Sequence, residues 1–425
     1  MSKHVVVIGA GIVGASAAWE LVADGHRVTI IEPESPGGPQ AASYGNGAWI
    51  SPASVVPMSM PGIWRNVPGY LLDPDGPLTI RWTKLPKLLP WLVRFLLAGS
   101  TVPRVEATAR ALSTLLRDGP ERHAALATMI GQPDIIRRNG LLYVYFDRNA
   151  FEAEALSWHL RRQSGVTWTE LDAAAMRAKA PQLDPRYQFG ILVEAGAHCV
   201  DPGKYVAALV QASVAAGASL RRARATGYDV TGNQLRGVTS TDGTITCDAA
   251  VIASGIGSKA LARAAGDAIP LESERGYHAV VTNTDITLST PIMPADGRMA
   301  NTTTLAGLRL SGQVELADVG TVPNWKRTEA LLRHASRTYP SLAPREALLV
   351  ERWLGHRPST PDGKPVIGRA SGIADVIYAF GHGHVGLASG PITGRIVADI
   401  VSGRTPSVDI KAFAPSRFRL FRTWE

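Results

Sequence analysis

The chain has 425 residues, a formal net charge of +8 from 44 Lys+Arg against 36 Asp+Glu, and 45% apolar residues. That length predicts two domains rather than one small core. The basic residues are scattered rather than striped, which argues against a nucleic-acid partner, and no apolar run approaches the roughly 20 residues of a membrane span.

The run Val5-Val-Val-Ile8 predicts a buried strand, and Gly9-Ala-Gly11-Ile12-Val13-Gly14 predicts a tight turn into a helix of small residues. Gly9 permits the turn, Gly11 lets a pyrophosphate approach the backbone, and Gly14 packs the helix close to the sheet. A second buried strand, Val28–Ile31, ends on Glu32, where a carboxylate can accept from ribose hydroxyls. The chain enters its first strand by Val5 with no charged lead-in, so no signal peptide is expected. After a Gly/Pro-rich loop, the stretch 41–52 carries Ser43, Asn46 and Gly47 beside the nucleotide crevice, a placement that favours cofactor contact. Residues 79–97 mix basic and apolar side chains. The favoured reading is a short helix packed into a second domain, with Pro90 near its first turn; the alternative is peripheral contact with an anionic membrane surface. Beyond it, one amphipathic helix is expected over 102–130, a strand over 140–146, and helices over 149–164 and 172–178.

From Gly190 the pattern gives a strand at 191–193, a helix at 203–215, a strand at 219–222 and a hairpin-like pair at 234–239 and 244–247. Ala249–Gly255 reads as a buried strand whose glycine end lies at the ligand-binding edge. Strands near 276–282, 305–310 and 312–317 and a helix over 325–337 form a β-rich second domain. The strand 376–380 then meets Gly381-His382-Gly383-His384-Val385-Gly386-Leu387, followed by a small-residue helix over 389–402. This second glycine turn repeats the physics of the first, a helix N-terminus open to partial negative charge. Two such turns suit one long flavin dinucleotide better than a nicotinamide dinucleotide. His382 and His384 lack a third ligand at sensible spacing, so no metal site is expected. Cys199 and Cys247 form neither a Cys-x-x-Cys pair nor a disulfide framework, which suits a reducing cytoplasm.

Taken together, the chain resembles the FAD-dependent D-amino acid oxidase superfamily, most of all its bacterial D-amino acid dehydrogenases and the hydroxyproline dehydrogenase-like and glycine oxidase-like flavoproteins. The resemblance spans nearly the whole length. It rests on Gly9-x-Gly11-x-x-Gly14 with Glu32, Ala42-Ser43-Tyr-Gly-Asn46, His198-Cys-Val-Asp201-Pro, Arg275-Gly-Tyr277-His278, Gly355-His-Arg357-Pro with Pro361-Asp-Gly, and Gly381-His-Gly-His-Val-Gly386.

The resemblance implies a Rossmann-like α/β FAD-binding domain joined to a mostly antiparallel α+β substrate domain. The expected division gives 1–55, 190–265 and 352–425 to FAD, and 56–189 and 266–351 to substrate. FAD would lie extended between Gly9–Gly14 and Gly383–Leu387, with Gly255 and Gly381 beside it. It would be held non-covalently, since Gly355 stands where some relatives carry a linking cysteine. Arg357 would hold the substrate carboxylate, a match of charge and fork geometry; Tyr277 and His278 would position the substrate, and His384 would floor the pocket. The implied reaction is oxidative deamination of a D-amino acid by hydride transfer from Cα to flavin N5. The imino acid formed would hydrolyse to a keto acid and ammonia. D-Hydroxyproline dehydrogenation, glycine or sarcosine oxidation, a non-catalytic FAD-carrying subunit and a nicotinamide-dependent dehydrogenase are the alternatives. Oxygen, a quinone or a redox protein all remain open as acceptor, as does oligomeric state, in a cytoplasmic protein with possible contact at the inner face of the membrane.

Overall fold

The computed structural model describes residues 1–73 and 75–421, so the last four positions of the expected first domain lie outside the described residues. Among them, one sheet has six strands in the order 219–221, 27–31, 4–8, 249–252, 376–380 and 366–369, parallel except for the last pair. The unbroken Val5–Ile8 run follows from this position. Val5 and Val7 join the apolar cluster on one face, with the helices Ile12–Ala23 and Pro202–Ala215, whereas Val6 and Ile8 join the cluster on the other. The closing helix, Gly386–Val401, lies against the first helix so tightly that a Cβ on Gly394 would stand 2.6 Å from the Ser16 carbonyl carbon.

A second, nine-stranded sheet is mainly antiparallel; towards one edge Glu272–Val281 lies between the edge strand Val350–Ser359 and Gly307–Leu316. This pairing moves two expected boundaries. Phe189–Val193 pairs with Leu141–Tyr145, and Val350–Ser359 with Glu272–Val281, so both strands belong to the second sheet rather than the first.

Other departures have local causes. The expected helix 102–130 is two, Val102–Leu116 and Gly119–Met129, because Gly119-Pro120 starts a new N-terminus. Helix 149–164 likewise divides into Arg148–Glu152 and Ala155–Gln163. The strands expected at 305–310 and 312–317 are one, Gly307–Leu316. The segment 79–97 gives a short strand, Leu78–Ile80, and a helix, Leu85–Ala98, with Pro86 in the first turn and Pro90 inside it. Leu88 packs with Ile80 and Leu316, while Leu89, Val93, Leu96 and Leu97 are exposed.

Candidate functional site

The first glycine turn has the geometry its residue types require. Gly9 takes φ +102°, and a side chain there would collide with Ala253 O at 2.6 Å. Beyond Gly11 the space is open except for Ser43 Oγ, 3.4 Å from where a Cβ would stand. Ser43 Oγ accepts from the N–H of Ile12, at the start of the helix that continues through Val13 and Gly14. Glu32, at the end of the second strand, accepts the Ala10 N–H through Oε2 at 2.8 Å. Gly255, one residue-triplet past the Ala249–Ile252 strand, has nothing near its Cα on the side a Cβ would occupy.

The loop from Tyr44 to Gly47 is held by its carbonyl groups. Arg309 Nη1 donates to the Tyr44 and Asn46 oxygens, each at 3.0 Å. His278 Nδ1 meets the Gly45 oxygen at 3.2 Å, and Thr302 Oγ1 donates to that of Gly47 at 3.0 Å. All three side chains come from the second sheet. Asn46 Oδ1 accepts the Ala48 N–H, supporting its left-handed φ of +66°. Among the described residues, the N–H groups of Gly45, Asn46 and Gly47 have no partner. A row of captured carbonyls with free N–H groups is a preformed receptor for a ligand rich in acceptors.

The same face of the second sheet carries Arg357. Its guanidinium crosses over Gly276, where a Cβ would stand 2.5 Å from Cζ, and Nη1 donates to the Gln313 oxygen at 3.0 Å. Burial lowers the Arg357 pKa and Glu274 partly offsets it, but a guanidinium keeps its charge at any working pH. Two positions along, His278 stacks on Trp353 with ring centroids 5.0 Å apart. Burial and then Arg309 hold its pKa down to about 3, so it is neutral.

The second glycine turn closes on this face, since Ser359, two residues after Arg357, forms a β-bridge with His382. Gly381 and Gly383 line a cavity with His384, Glu274, Ser359 and Thr360. Val385, Gly386 and Leu387 continue into the closing helix, whose first N–H groups lack intrahelical partners. Burial and Arg357 lower His384 to about 4. His382 turns away, to Thr393 Oγ1 at 3.2 Å. Among the described residues, no cluster of three or more His, Cys, Asp or Glu is placed to hold a metal ion.

Tyr277 does not join the site. Its strand alternates, so it faces the opposite side from Gly276 and His278 and lies in the core of the second sheet. Its hydroxyl donates to Glu315, which is also paired with Arg275 at 3.0 Å, and accepts the Asn324 N–H at 2.9 Å.

Two contributors carry no recognisable sequence signal as single residues. Arg309 is one. The other is His123, whose Nε2 donates to the Leu387 oxygen at 2.8 Å. The helical partner of that oxygen would be the N–H of residue 391, which is Pro391 and has none. With Nε2 protonated, Nδ1 accepts from the Tyr205 hydroxyl at 3.0 Å.

Comparison with known proteins agrees with this geometry. Residues 4–400 match the family model DAO, described as FAD dependent oxidoreductase. The chain is 50% identical over 418 residues to a D-amino-acid oxidase of Bradyrhizobium diazoefficiens, covering 98% of this chain and 99% of that one. It is 31% identical to a D-amino acid dehydrogenase of Paramagnetospirillum magneticum, covering 97% and 98% respectively. Among solved structures, L-proline dehydrogenase from P. horikoshii shares the fold with a TM-score of 0.74 at 21% identity, over 99% of this chain and 98% of that one.

Proposed function

The chain belongs to the DAO family of FAD-dependent oxidoreductases, and from that premise we propose that it oxidises the Cα–N bond of a D-amino acid. The residues present fit the cofactor. The open cradle at Gly11, the carboxylate of Glu32 and the free N–H groups of Gly45–Gly47 provide for its phosphates, ribose and ring. With no thiol at Gly355 and both cysteines buried, the cofactor is held without a covalent link. When bound, FAD supplies the two-electron acceptor for the Cα hydrogen.

The observation that carries the reading is Arg357, a partly buried guanidinium laid over Gly276 beside the cavity of the second glycine turn. Its fork takes the substrate carboxylate and fixes the Cα position. Neutral His278 holds the cofactor loop through Gly45, and neutral His384 lines the cavity floor. The imino acid product then loses its nitrogen to water, giving a keto acid and ammonia. The D-amino-acid oxidase that is half identical to this chain supports the substrate class.

Anaerobic titration of the yellow protein with D- and L-amino acids, glycine, sarcosine and hydroxyproline tests the proposal. Bleaching by a D-amino acid is expected, and its loss in Arg357→Ala; bleaching by none of the panel would overturn it. Bleaching also excludes the FAD-carrying subunit, while family membership already replaces the nicotinamide alternative with FAD. Oxygen uptake compared with quinone reduction identifies the acceptor.

The exposed row Leu89, Val93, Leu96 and Leu97, with Trp82 beside it, supports peripheral contact with a lipid surface from the cytoplasmic side. Sedimentation with anionic vesicles tests that contact. No helix among the described residues is long and apolar enough to cross a membrane.

A further inference from the structure

The cavity beside Arg357 holds a second ionisable side chain that the reaction described above does not use. Glu274 is the register partner of Arg357 on the neighbouring strand, so their side chains rise from one face with Cβ atoms about 5 Å apart. Glu274 is only 6% exposed, yet it lines the cavity together with Ser359, Gly383 and His384. Its carboxyl group closes no ion pair with Arg357, whose Nη1 goes to the Gln313 carbonyl instead. The neighbouring acid Glu272 is already paired with Lys259, and Arg275 on the opposite face with Glu315.

A buried acid on the cavity wall and a partly buried guanidinium next to it, not closed on each other, are costly unless a ligand completes them. An α-amino acid is such a ligand, with opposite charges on adjacent carbon atoms. We propose that Glu274 receives the α-ammonium group of the substrate while Arg357 takes the carboxylate, and that Glu274 accepts the proton the ammonium must lose before oxidation. This assignment rests on the amino-acid reading above.

In the proton step one ammonium N–H bond breaks and its electron pair stays on nitrogen as the amine lone pair. The proton forms an O–H bond on the Glu274 carboxylate. The surroundings suit that role, because burial raises the pKa of Glu274, and Arg357 and then the Ser359 hydroxyl only partly oppose the rise. Of the charged or titratable groups around it, Arg357 comes from the adjacent strand and His384 from the turn. Asp362, from the following loop, is already engaged by Arg417 at 2.9 Å and Lys364 at 3.5 Å. The remaining wall, Pro57, Met58, Phe95 and Ala98, bears no charge. Two opposite charges and a third wall at His384 give three points of contact, the minimum for telling enantiomers apart.

The test compares flavin-loaded wild type with Glu274→Gln and Glu274→Asp. For D-alanine, kcat/KM of the Gln variant is expected to fall about 100-fold near neutral pH. It should recover as the pH approaches the ammonium's own pKa, where free amine is delivered without a base. The Asp variant should retain an intermediate rate. Affinity for propanoate, which lacks the amine, should stay within about threefold in both variants, which also reports that they fold. Wild-type kinetics in Glu274→Gln would overturn the proposal. So would an equal loss of D-alanine and propanoate affinity, which marks Glu274 as a mere counter-ion of Arg357. If no D-amino acid bleaches the wild-type flavin, the functional reading fails separately. The calorimetric ratio of D-alanine to propanoate affinity, wild type against Gln, then still decides on Glu274.

Discussion

The guanidinium of Arg357 fills the place where a side chain at Gly276 would stand, with Cζ 2.5 Å from the position of a Cβ. The sequence Arg275-Gly-Tyr277 therefore serves a residue 81 positions away, as the register partner of Gly355 rather than of its own neighbours.

Gly276→Ala must push that guanidinium out of line. We expect kcat/KM for a D-amino acid to fall at least about tenfold, mainly through KM, as a misplaced group far from a folding defect does. Flavin content should be unchanged. An unaltered KM would show that the carboxylate goes elsewhere.

Arg309→Met removes the donor shared by the Tyr44 and Asn46 carbonyls. FAD should then dissociate more readily, with a Kd raised about 10- to 100-fold, read from the fluorescence of released flavin on dilution. Arg309 is 5% exposed, and its Nε finds no partner, so Arg309→Lys should rescue the loop only in part.

His123→Leu leaves the Leu387 carbonyl without a donor. A buried acceptor stripped of its partner costs about 1–3 kcal/mol, so the melting temperature should drop by a few degrees. Tyr205→Phe, which removes only the donor to Nδ1, should cost less.

Tyr277→Phe separates the sequence expectation from the structure. Because the hydroxyl faces Glu315 and Asn324 in the core, its loss should lower thermal stability while leaving KM within about twofold. A large rise in KM would restore Tyr277 to the site.

Buried histidines set an acid limit. His123, His198 and His384 are held down to about 4 and His278 and His382 to about 3, in each case first by burial. The unfolded chain takes up protons near its ordinary histidine pKa of about 6.5, and the folded chain refuses them. Stability present above that pH is therefore lost as the pH falls from about 6.5 towards 4, by up to about 1.4 kcal/mol per histidine per pH unit. The raised pKa values of Glu274 and Glu20, each due first to burial, act in the opposite direction, but as two groups against five. Melting curves from pH 7.5 to 5 should show the decline, and His278→Phe should make it shallower.

The parts of this molecule that obey local rules were legible in the sequence. The first glycine turn needs only neighbouring residues to be recognised, and so does the strand that ends on Glu32. Arg357 was singled out by the motif Gly355-His-Arg357-Pro, which lies within the strand Val350–Ser359, and the boundary at Gly119-Pro120 was legible in principle from the proline. What escaped were relations between distant strands. Pairing alone decides that Phe189–Val193 and Val350–Ser359 join the second sheet. It also decides which face Tyr277 takes and that Glu274 stands opposite Arg357. His123 escaped because its reason for being there is a missing hydrogen atom at Pro391, more than 200 positions later.

The anchoring of the loop Tyr44–Gly47 has a mechanical consequence. Four hydrogen bonds fasten its successive carbonyls to side chains of the other sheet, so the loop is shared between the two halves of the molecule. A clamshell opening of those halves would break all four of these bonds, and with them the seat proposed for the cofactor. On the proposed function, substrate and product would pass along the flank formed by Pro57–Ser59 and the helix Leu85–Ala98, which borders the cavity through Met58, Phe95 and Ala98. Stiffening that flank should slow turnover, while the rest of the enzyme can remain as rigid as its packing makes it.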